Sequence, residues 1–534
     1  MTAPLARRMM VPAPPGKGGL WLEKPNALGN HLMKAAGRAV LWAAVWGFMI
    51  SPLAAADAVR DSVVKIAVTQ RSPNFSQPWT KSASQEASGS GFIISDRRIL
   101  TNAHVVQYAS QIYVQPHQSA DKLPAKVLAM SQAIDLAVLG LADDDSFFEN
   151  RPPLALAEGL PQVKGTVNVY GYPLGGEQMS VTEGIISRVD FAGYYYRTMG
   201  LRVQIDAALN PGNSGGPALS EGRVVGVAFS GIKTAENIGY LIPVEEINTF
   251  LTDVADGHYD GKPRLRDETQ TLENDAIREK LGLGKGVGGA MITRSHGAGK
   301  DYPLRRGDVI LKIGDHALDN ASRVQVASDL QLPFQYLIPQ VVHEGKVRFA
   351  VLRDGETLDV ETPVTAEESL AIPFLRGEYP RYFIYGPLVF SPASQEFMAL
   401  VTRTLGVALV ERGSPLIKRL TDRPAFEGEE VVIVPSPMFP HRLTKGYSAP
   451  TFSALTHLNG IPVRSLKHLV ELLRYNAAEY LEFRFPGAET LVFRRQEMIA
   501  ATEEILTDNS IRRQCSEDLE AVWTAKTSAA KVSE

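Results

Sequence analysis

The chain has 534 residues, too many for one hydrophobic core and enough for about three domains. Hydrophobic residues make up 44% and charged residues 21%, an ordinary globular balance that excludes a fibrous or wholly disordered chain. A net charge of −4 gives no footing for nucleic acid or an anionic membrane surface, and the single cysteine, Cys515, excludes an intrachain disulfide and a cysteine-rich metal site.

Residues 1–32 are rich in Pro and Gly, cationic and without periodicity, so no folded element is expected there. Lys34 and Arg38 then precede an apolar run from Ala39 to Ile50, followed by Ser51-Pro52-Leu53-Ala54-Ala55-Ala56. A positive flank, a short apolar segment and an A-x-A end predict a secretory signal peptide cut after Ala56, with Met33 as an alternative start. The run is shorter than the ~20 residues of a membrane span. Residues 1–56 are therefore read as an extension and signal. The protein is expected to be exported, to a bacterial periplasm, where folding without disulfides is no handicap.

From Asp57 the chain breaks into short apolar runs punctuated by Gly, Pro, Asn and Ser. Val59–Thr69, Gly91–Ser95, Gln111–Gln115, Lys126–Met130 and Leu136–Leu141 are predicted strands, at a spacing that favours a barrel or sandwich over βαβ units. Arg71–Ser88 is polar and aperiodic, and is predicted to be a long mobile loop.

Three short motifs carry chemistry. Asn210-Pro211-Gly212-Asn213-Ser214-Gly215-Gly216-Pro217 places a serine in a glycine-rich turn between two apolar runs. A serine hydroxyl needs a base, a group to orient that base, and donors for an oxyanion. Backbone N–H groups of Gly212, Asn213 and Ser214 are the candidate donors. Thr101-Asn102-Ala103-His104-Val105-Val106 supplies a histidine, and Ile134-Asp135-Leu136-Ala137-Val138-Leu139 a carboxylate in an apolar strand, where an unpaired charge would be costly. An isolated histidine is more often structural. His104 stands apart because of its Thr-x-Ala-His setting and because the order His104, Asp135, Ser214 is that of chymotrypsin-type triads.

Beyond residue 243, Val244, Ile247, Phe250, Leu251 and Val254 have helical spacing, and Gly257–Glu268 reads as a polar linker. Leu304-Arg305-Arg306-Gly307-Asp308-Val309-Ile310-Leu311-Lys312-Ile313-Gly314-Asp315 is a strand with flanking turns, as is Leu455–Val463, and Ser465 is the predicted cap of a helix to Leu473. Gly282, Gly284 and Gly286 lack the spacing, the preceding strand and the acidic partner of a dinucleotide loop. No phosphate-binding G-x-x-x-x-G-K-[ST] loop, His-x-x-x-His pair or Cys-x-x-Cys pair occurs, so neither ATP nor a metal or other cofactor is expected.

TNAHVV, IDLAVL and GNSGGP, with Gly89-Ser90-Gly91-Phe92-Ile93-Ile94, Gly171-Tyr172-Pro173-Leu174-Gly175, Gly184-Ile185-Ile186-Ser187-Arg188 and Asn237-Ile238-Gly239-Tyr240-Leu241-Ile242-Pro243 in order, resemble the HtrA/Deg family of trypsin-like serine proteases. The resemblance implies a mainly β fold: a chymotrypsin-like double β-barrel over 57–256, then PDZ domains at 269–366 and, more divergent, 370–500, with a C-terminal tail at 501–534. The long second PDZ resembles the plant-organelle type. The implied activity is serine endoproteolysis of unfolded or damaged proteins, by a trimer-based homo-oligomer. Ala208, six residues before the serine, stands where trypsins carry their specificity aspartate, which implies a neutral pocket for small or medium apolar side chains. Asn213 replaces the aspartate that pairs with a newly cut N-terminus in trypsins, so activation by such a cut is not implied. Gly288, Gly289, Ala290 and Met291 are the candidate carboxylate-binding loop of the first PDZ, which would add a C-terminal or internal peptide to a sheet edge. Pro387 falls at the matching place in the second PDZ and removes a donor. Cys515 lies among charged residues with no conjugate histidine, and reads as incidental. Two rivals remain: a PDZ-bearing chaperone with residual proteolysis, and an acyl hydrolase using the same triad. Ser214→Ala separates the first, since a chaperone would keep its client-holding activity.

Overall fold

The computed structural model describes residues 59–142, 146–173, 176–229, 238–297, 301–366, 369–411 and 414–525. The expected signal peptide, its cleavage site at Ala56, and Leu174, Gly175 and Asn237 of the sequence motifs lie outside them.

Twelve strands make two closed six-stranded barrels. The first comprises β1 (Val63–Gln70), β2 (Gln85–Ile94), β3 (Arg98–Thr101), β4 (Ala109–Gln115), β5 (Leu123–Ser131) and β6 (Leu136–Leu141), in the order β1-β2-β3-β6-β5-β4. The second comprises β7 (Thr166–Gly171), β8 (Ser180–Gly193), β9 (Met199–Ile205), β10 (Pro217–Ser220), β11 (Arg223–Phe229) and β12 (Gly239–Pro243), in the order β10-β11-β12-β9-β8-β7. Closure removes the exposed sheet edges that antiparallel strands otherwise leave. Phe92, Leu100 and Leu136 of one barrel pack with Leu219, Val224 and Val227 of the other in one fully buried cluster, so the barrels share a core at their junction. The helix Val244–Asp253 covers that junction with Ile247 and Phe250.

Arg71–Thr80 is not a free excursion. It folds back through a Pro73–Lys81 bridge and an Asn74 turn, and its aromatic residues Phe75 and Trp79 pack on the C-terminal domain. The expected mobile loop is thus a docked one. Its two anchors, Phe75 and Trp79, are too few to make a periodic pattern among polar residues, and they join two different clusters of the C-terminal domain.

The middle domain carries β13 (Glu268–Thr271), β14 (Ala290–Arg294), β15 (Val309–Ile313), β16 (His316–Ala317), β17 (Arg323–Ala327), β18 (Leu330–Pro333), β19 (Lys346–Arg353) and β20 (Glu356–Pro363). Its sheet runs β13-β14-β15-β19-β20, and the turn Phe334–Leu337 with the helix Ile338–Val341 closes the core, where Phe334 meets Phe349 edge-on at 6.4 Å. The predicted linker at 257–268 is packed rather than free. Tyr259 lies against Phe250 at 6.0 Å, and Lys262 pairs with the buried Glu246.

The C-terminal domain has two small sheets: β21 (Phe383–Tyr385), β22 (Leu388–Pro392) and β23 (Val432–Ile433); and β24 (His457–Leu458), β25 (Ile461–Pro462), β26 (Tyr480–Arg484) and β27 (Leu491–Arg494). Phe390 and Phe483 stack across them at 5.7 Å. Ser465 caps the helix Leu466–Tyr475 as expected, its Oγ accepting from His468 N–H at 3.1 Å. The fold continues past residue 500, contrary to the expected tail. The helix Arg495–Asp508 buries Met498, Ala501 and Ile505, and Leu519 and Cys515 sit in the domain core. Burial pushes the Cys515 thiol up to about 11, so it remains a neutral thiol at ordinary pH.

Candidate active site

His104 and Asp135 come from different connections of the first barrel. His104 sits on the one-turn helix Ala103–Val106 after β3, whose other side chains, Ala103, Val105 and Val106, are buried and fix the turn. Asp135 is not within a strand. It occupies the turn just before β6 with φ of 58°, a left-handed conformation that a short polar side chain tolerates. This turn aims the carboxylate back at β3. Asp135 is 1% exposed, and one oxygen accepts from His104 N–H at 2.8 Å while the other meets His104 Nδ1 at 2.6 Å. Asn102 Nδ2 donates to the Asp135 carbonyl at 2.9 Å, so both backbone and side chain of the aspartate are held. A carboxylate at Nδ1 selects the Nδ1–H tautomer and leaves Nε2 as the basic nitrogen.

Ser214 lies in the turn before β10 and is 4% exposed. Asn213 N–H donates to Asn210 O at 3.0 Å, with Pro211 second and Gly212 third at φ 101°, which is a type II turn. The two glycines after the serine are steric necessities. A Cβ on Gly215 would lie 2.1 Å from Ser90 O and 2.3 Å from Thr101 Oγ1, and one on Gly216 would lie 2.0 Å from Tyr170 O. The Cβ on Gly215 would also lie 3.2 Å from Asn102 N, which places the Ser214 turn beside the start of the His104 helix.

The turn corrects one expectation. The Asn213 N–H is spent on closing it, so Gly212 and Ser214 remain the oxyanion-donor candidates. The Asn213 side chain is fully buried, with Oδ1 only 3.4 Å from Ser180 Oγ and no partner for Nδ2 among the described residues.

Ser90 is a functional residue that motif reading passed over. Its N–H donates to Ser214 O at 2.9 Å, its Oγ donates to Gly212 O at 2.8 Å and accepts from Tyr172 N–H at 2.8 Å, and its carbonyl accepts from Thr101 Oγ1 at 2.7 Å. One residue on β2 of the first barrel thereby pins the Ser214 turn of the second. Only its place in the Gly-Ser-Gly motif hinted at this.

Ala208 is exposed on the stretch between β9 and the Ser214 turn, next to the buried Ala207.

The middle-domain residues are placed elsewhere than expected. β14 pairs with β13 on one side and β15 on the other, so Ala290 and Met291 have no free backbone edge for a peptide. Gly289 N–H already donates to Asp319 O at 3.0 Å. Gly288 and Gly289 are glycines because chains cross there: their Cβ atoms would lie 2.2 Å from Asp319 C and 2.7 Å from Ile310 O. The sheet ends instead at β20 on one side and, on the side of β14, at β13, a short polar strand with an open edge. In the C-terminal domain Pro387 lies in the turn joining β21 to β22, and Gly386 N–H beside it donates to Thr502 Oγ1 at 2.7 Å.

Residues 89–227 match the trypsin-like peptidase domain family, and residues 375–518 match a PDZ domain family. The chain is 34% identical over 467 residues to protease Do-like 2, chloroplastic, of Arabidopsis thaliana, covering 86% of this chain and 75% of that protein. It is 33% identical over 451 residues to protease Do-like 4, mitochondrial, of the same plant, covering 84% and 83%. Among solved structures, the HtrA-type protease AlgW with tripeptide is 25% identical, spans 58% of this chain and 95% of its own, and superposes with a TM-score of 0.46.

Proposed function

The chain belongs to the Do-like family of HtrA/Deg-type serine proteases, and from that premise we propose that it is an ATP-independent endopeptidase that removes unfolded or damaged proteins, with Ser214, His104 and Asp135 as its triad. The observation that carries this reading is the two-point grip of Asp135 on His104, beside a nucleophile turn already closed in the type II form.

His104 Nε2 takes the Ser214 proton as Oγ attacks the scissile carbonyl. The Gly212 and Ser214 N–H groups receive the oxyanion. The imidazolium returns the proton to the leaving amine, Asp135 stabilising the cation meanwhile, and water repeats the sequence on the acyl-enzyme. Ala208 supplies a neutral floor, so cleavage is expected after small or medium apolar residues. Peptides join the β13 edge of the middle domain, whose own strand is polar and exposed. The working form is an exported, trimer-based homo-oligomer.

A fluorophosphonate probe tests the nucleophile directly. Its label should map to the peptide containing Ser214 and vanish in Ser214→Ala. A label on another serine would contradict the assignment. For the peptide site, ligand binding should slow amide exchange at Glu268–Thr271, and slowing confined to Gly288–Met291 would restore the loop that the sequence suggested.

A further inference from the structure

Two tyrosines near the catalytic pair sit in an unfavourable backbone region. Tyr108 has φ of 57° and Tyr196 has φ of 51°. A bulky residue is strained there and persists only where its surroundings impose it. Each lies one short step from a catalytic residue. Tyr108 follows the one-turn helix of His104. Its carbonyl accepts from Arg71 N–H at 3.0 Å, and the adjacent Gln70 Nε2 donates to the carbonyls of His104 and Val105 at 3.1 and 3.0 Å. Tyr196 belongs to the loop in which Tyr195 N–H donates to Ala133 O at 3.2 Å, two residues before Asp135.

What imposes both conformations comes from one place, the entry to the C-terminal PDZ domain. Phe374 meets the Tyr196 ring edge-on at 4.9 Å. Tyr379 packs on the Tyr108 ring at 5.6 Å, its hydroxyl donates to Arg71 O at 2.7 Å, and Lys81 Nζ stands over its ring at 3.9 Å. Between them the chain passes close to the first barrel at Gly377, whose φ of 91° favours glycine and where a Cβ would lie 2.4 Å from the side-chain amide of Gln132.

We propose that Phe374 and Tyr379 are positioning residues for proteolysis. They brace Tyr108 and Tyr196 in left-handed conformations and so fix the two loops that carry His104 and Asp135. The C-terminal PDZ domain thereby acts in cis as part of the catalytic support. The inference rests on the triad reading above.

The test uses the full chain and steady-state cleavage of a fluorogenic peptide. Tyr379→Ala should lower kcat by about 10- to 100-fold, the cost of misplacing a catalytic group by about 1 Å, with KM within about 2-fold. Tyr379→Phe keeps the ring contacts and should stay near the parent. Tyr108→Gly added to Tyr379→Ala should recover turnover, because glycine takes positive φ without needing a brace; a merely structural loss would not be repaired this way. A folded Tyr379→Ala chain with parental kcat overturns the proposal, as does failure of Tyr108→Gly to restore any turnover. Where Tyr379→Ala does not fold, Phe374→Ala decides by the same kcat criterion. A parent chain that cleaves nothing would instead overturn the triad reading itself.

Discussion

At the scale of single residues, the site is held by a few buried hydrogen bonds to Asp135 and Ser90. Asp135 is almost fully buried and spends both oxygens on His104. Asp135→Asn keeps the shape but turns an N–H toward Nδ1 or forces the other tautomer, so kcat should fall about 10⁴-fold with KM little changed. Ser90→Ala removes a donor to Gly212 O and an acceptor for Tyr172 N–H in a buried setting. Leaving these unmet should cost about 1–3 kcal/mol of stability in a denaturant melt. It should also loosen the oxyanion turn, so that kcat falls while substrate binding is kept. Gly215→Ala should leave no active protein, since its Cβ would meet backbone oxygen at 2.1 Å. The serine and histidine were legible in the sequence because each sits inside a short motif whose neighbours are fixed by local geometry. Ser90 was not, because its role is visible only when the two barrels come into contact, and the Ser90 to Gly212 bond spans 122 positions.

At the scale of elements, turns and edges decided what the sequence concealed. Leu136–Leu141 is a strand as its apolar run predicts, yet Asp135 belongs to the turn before it. A left-handed aspartate looks like a strand residue when only the apolar neighbours are counted. β13 reads Glu-Thr-Gln-Thr and has no hydrophobic alternation, so the strand that offers the open edge carried the weaker signal, while the glycine-rich stretch before β14 drew attention for reasons of packing. The helix Arg495–Asp508 was hidden by charged residues around Met498, Ala501 and Ile505. Between domains, Tyr336 of the middle domain donates to Glu245 of the protease helix at 3.0 Å, and burial raises the Glu245 carboxyl above its usual range. A carboxyl with a raised folded-state pKa contributes its stability fully below the unfolded value and loses it as pH rises through the folded one. Glu245→Gln mimics the protonated form, so its thermal midpoint should exceed the parent's at pH 8 and match it at pH 4. An advantage that grows toward low pH would contradict this.

At the scale of the whole molecule, the modules are not beads on a string. The loop after β1, expected to be mobile, places Trp79 against Phe439 of the C-terminal PDZ domain at 5.3 Å, and the segment after the protease helix is held to it through Tyr259 and Lys262 rather than free. A sequence lists domains in order but does not show which surfaces they bury against one another, and here those surfaces lead back to His104 and Asp135. The central claim is that one serine, prepared by this arrangement, cuts unfolded protein. Casein digestion by the parent chain beside Ser214→Ala tests it most directly. The account predicts that only the parent cuts, after small or medium apolar residues, with turnover in the variant down about 10⁶-fold. Equal digestion by both chains, or loss of digestion in both while each still holds client protein soluble, would contradict it.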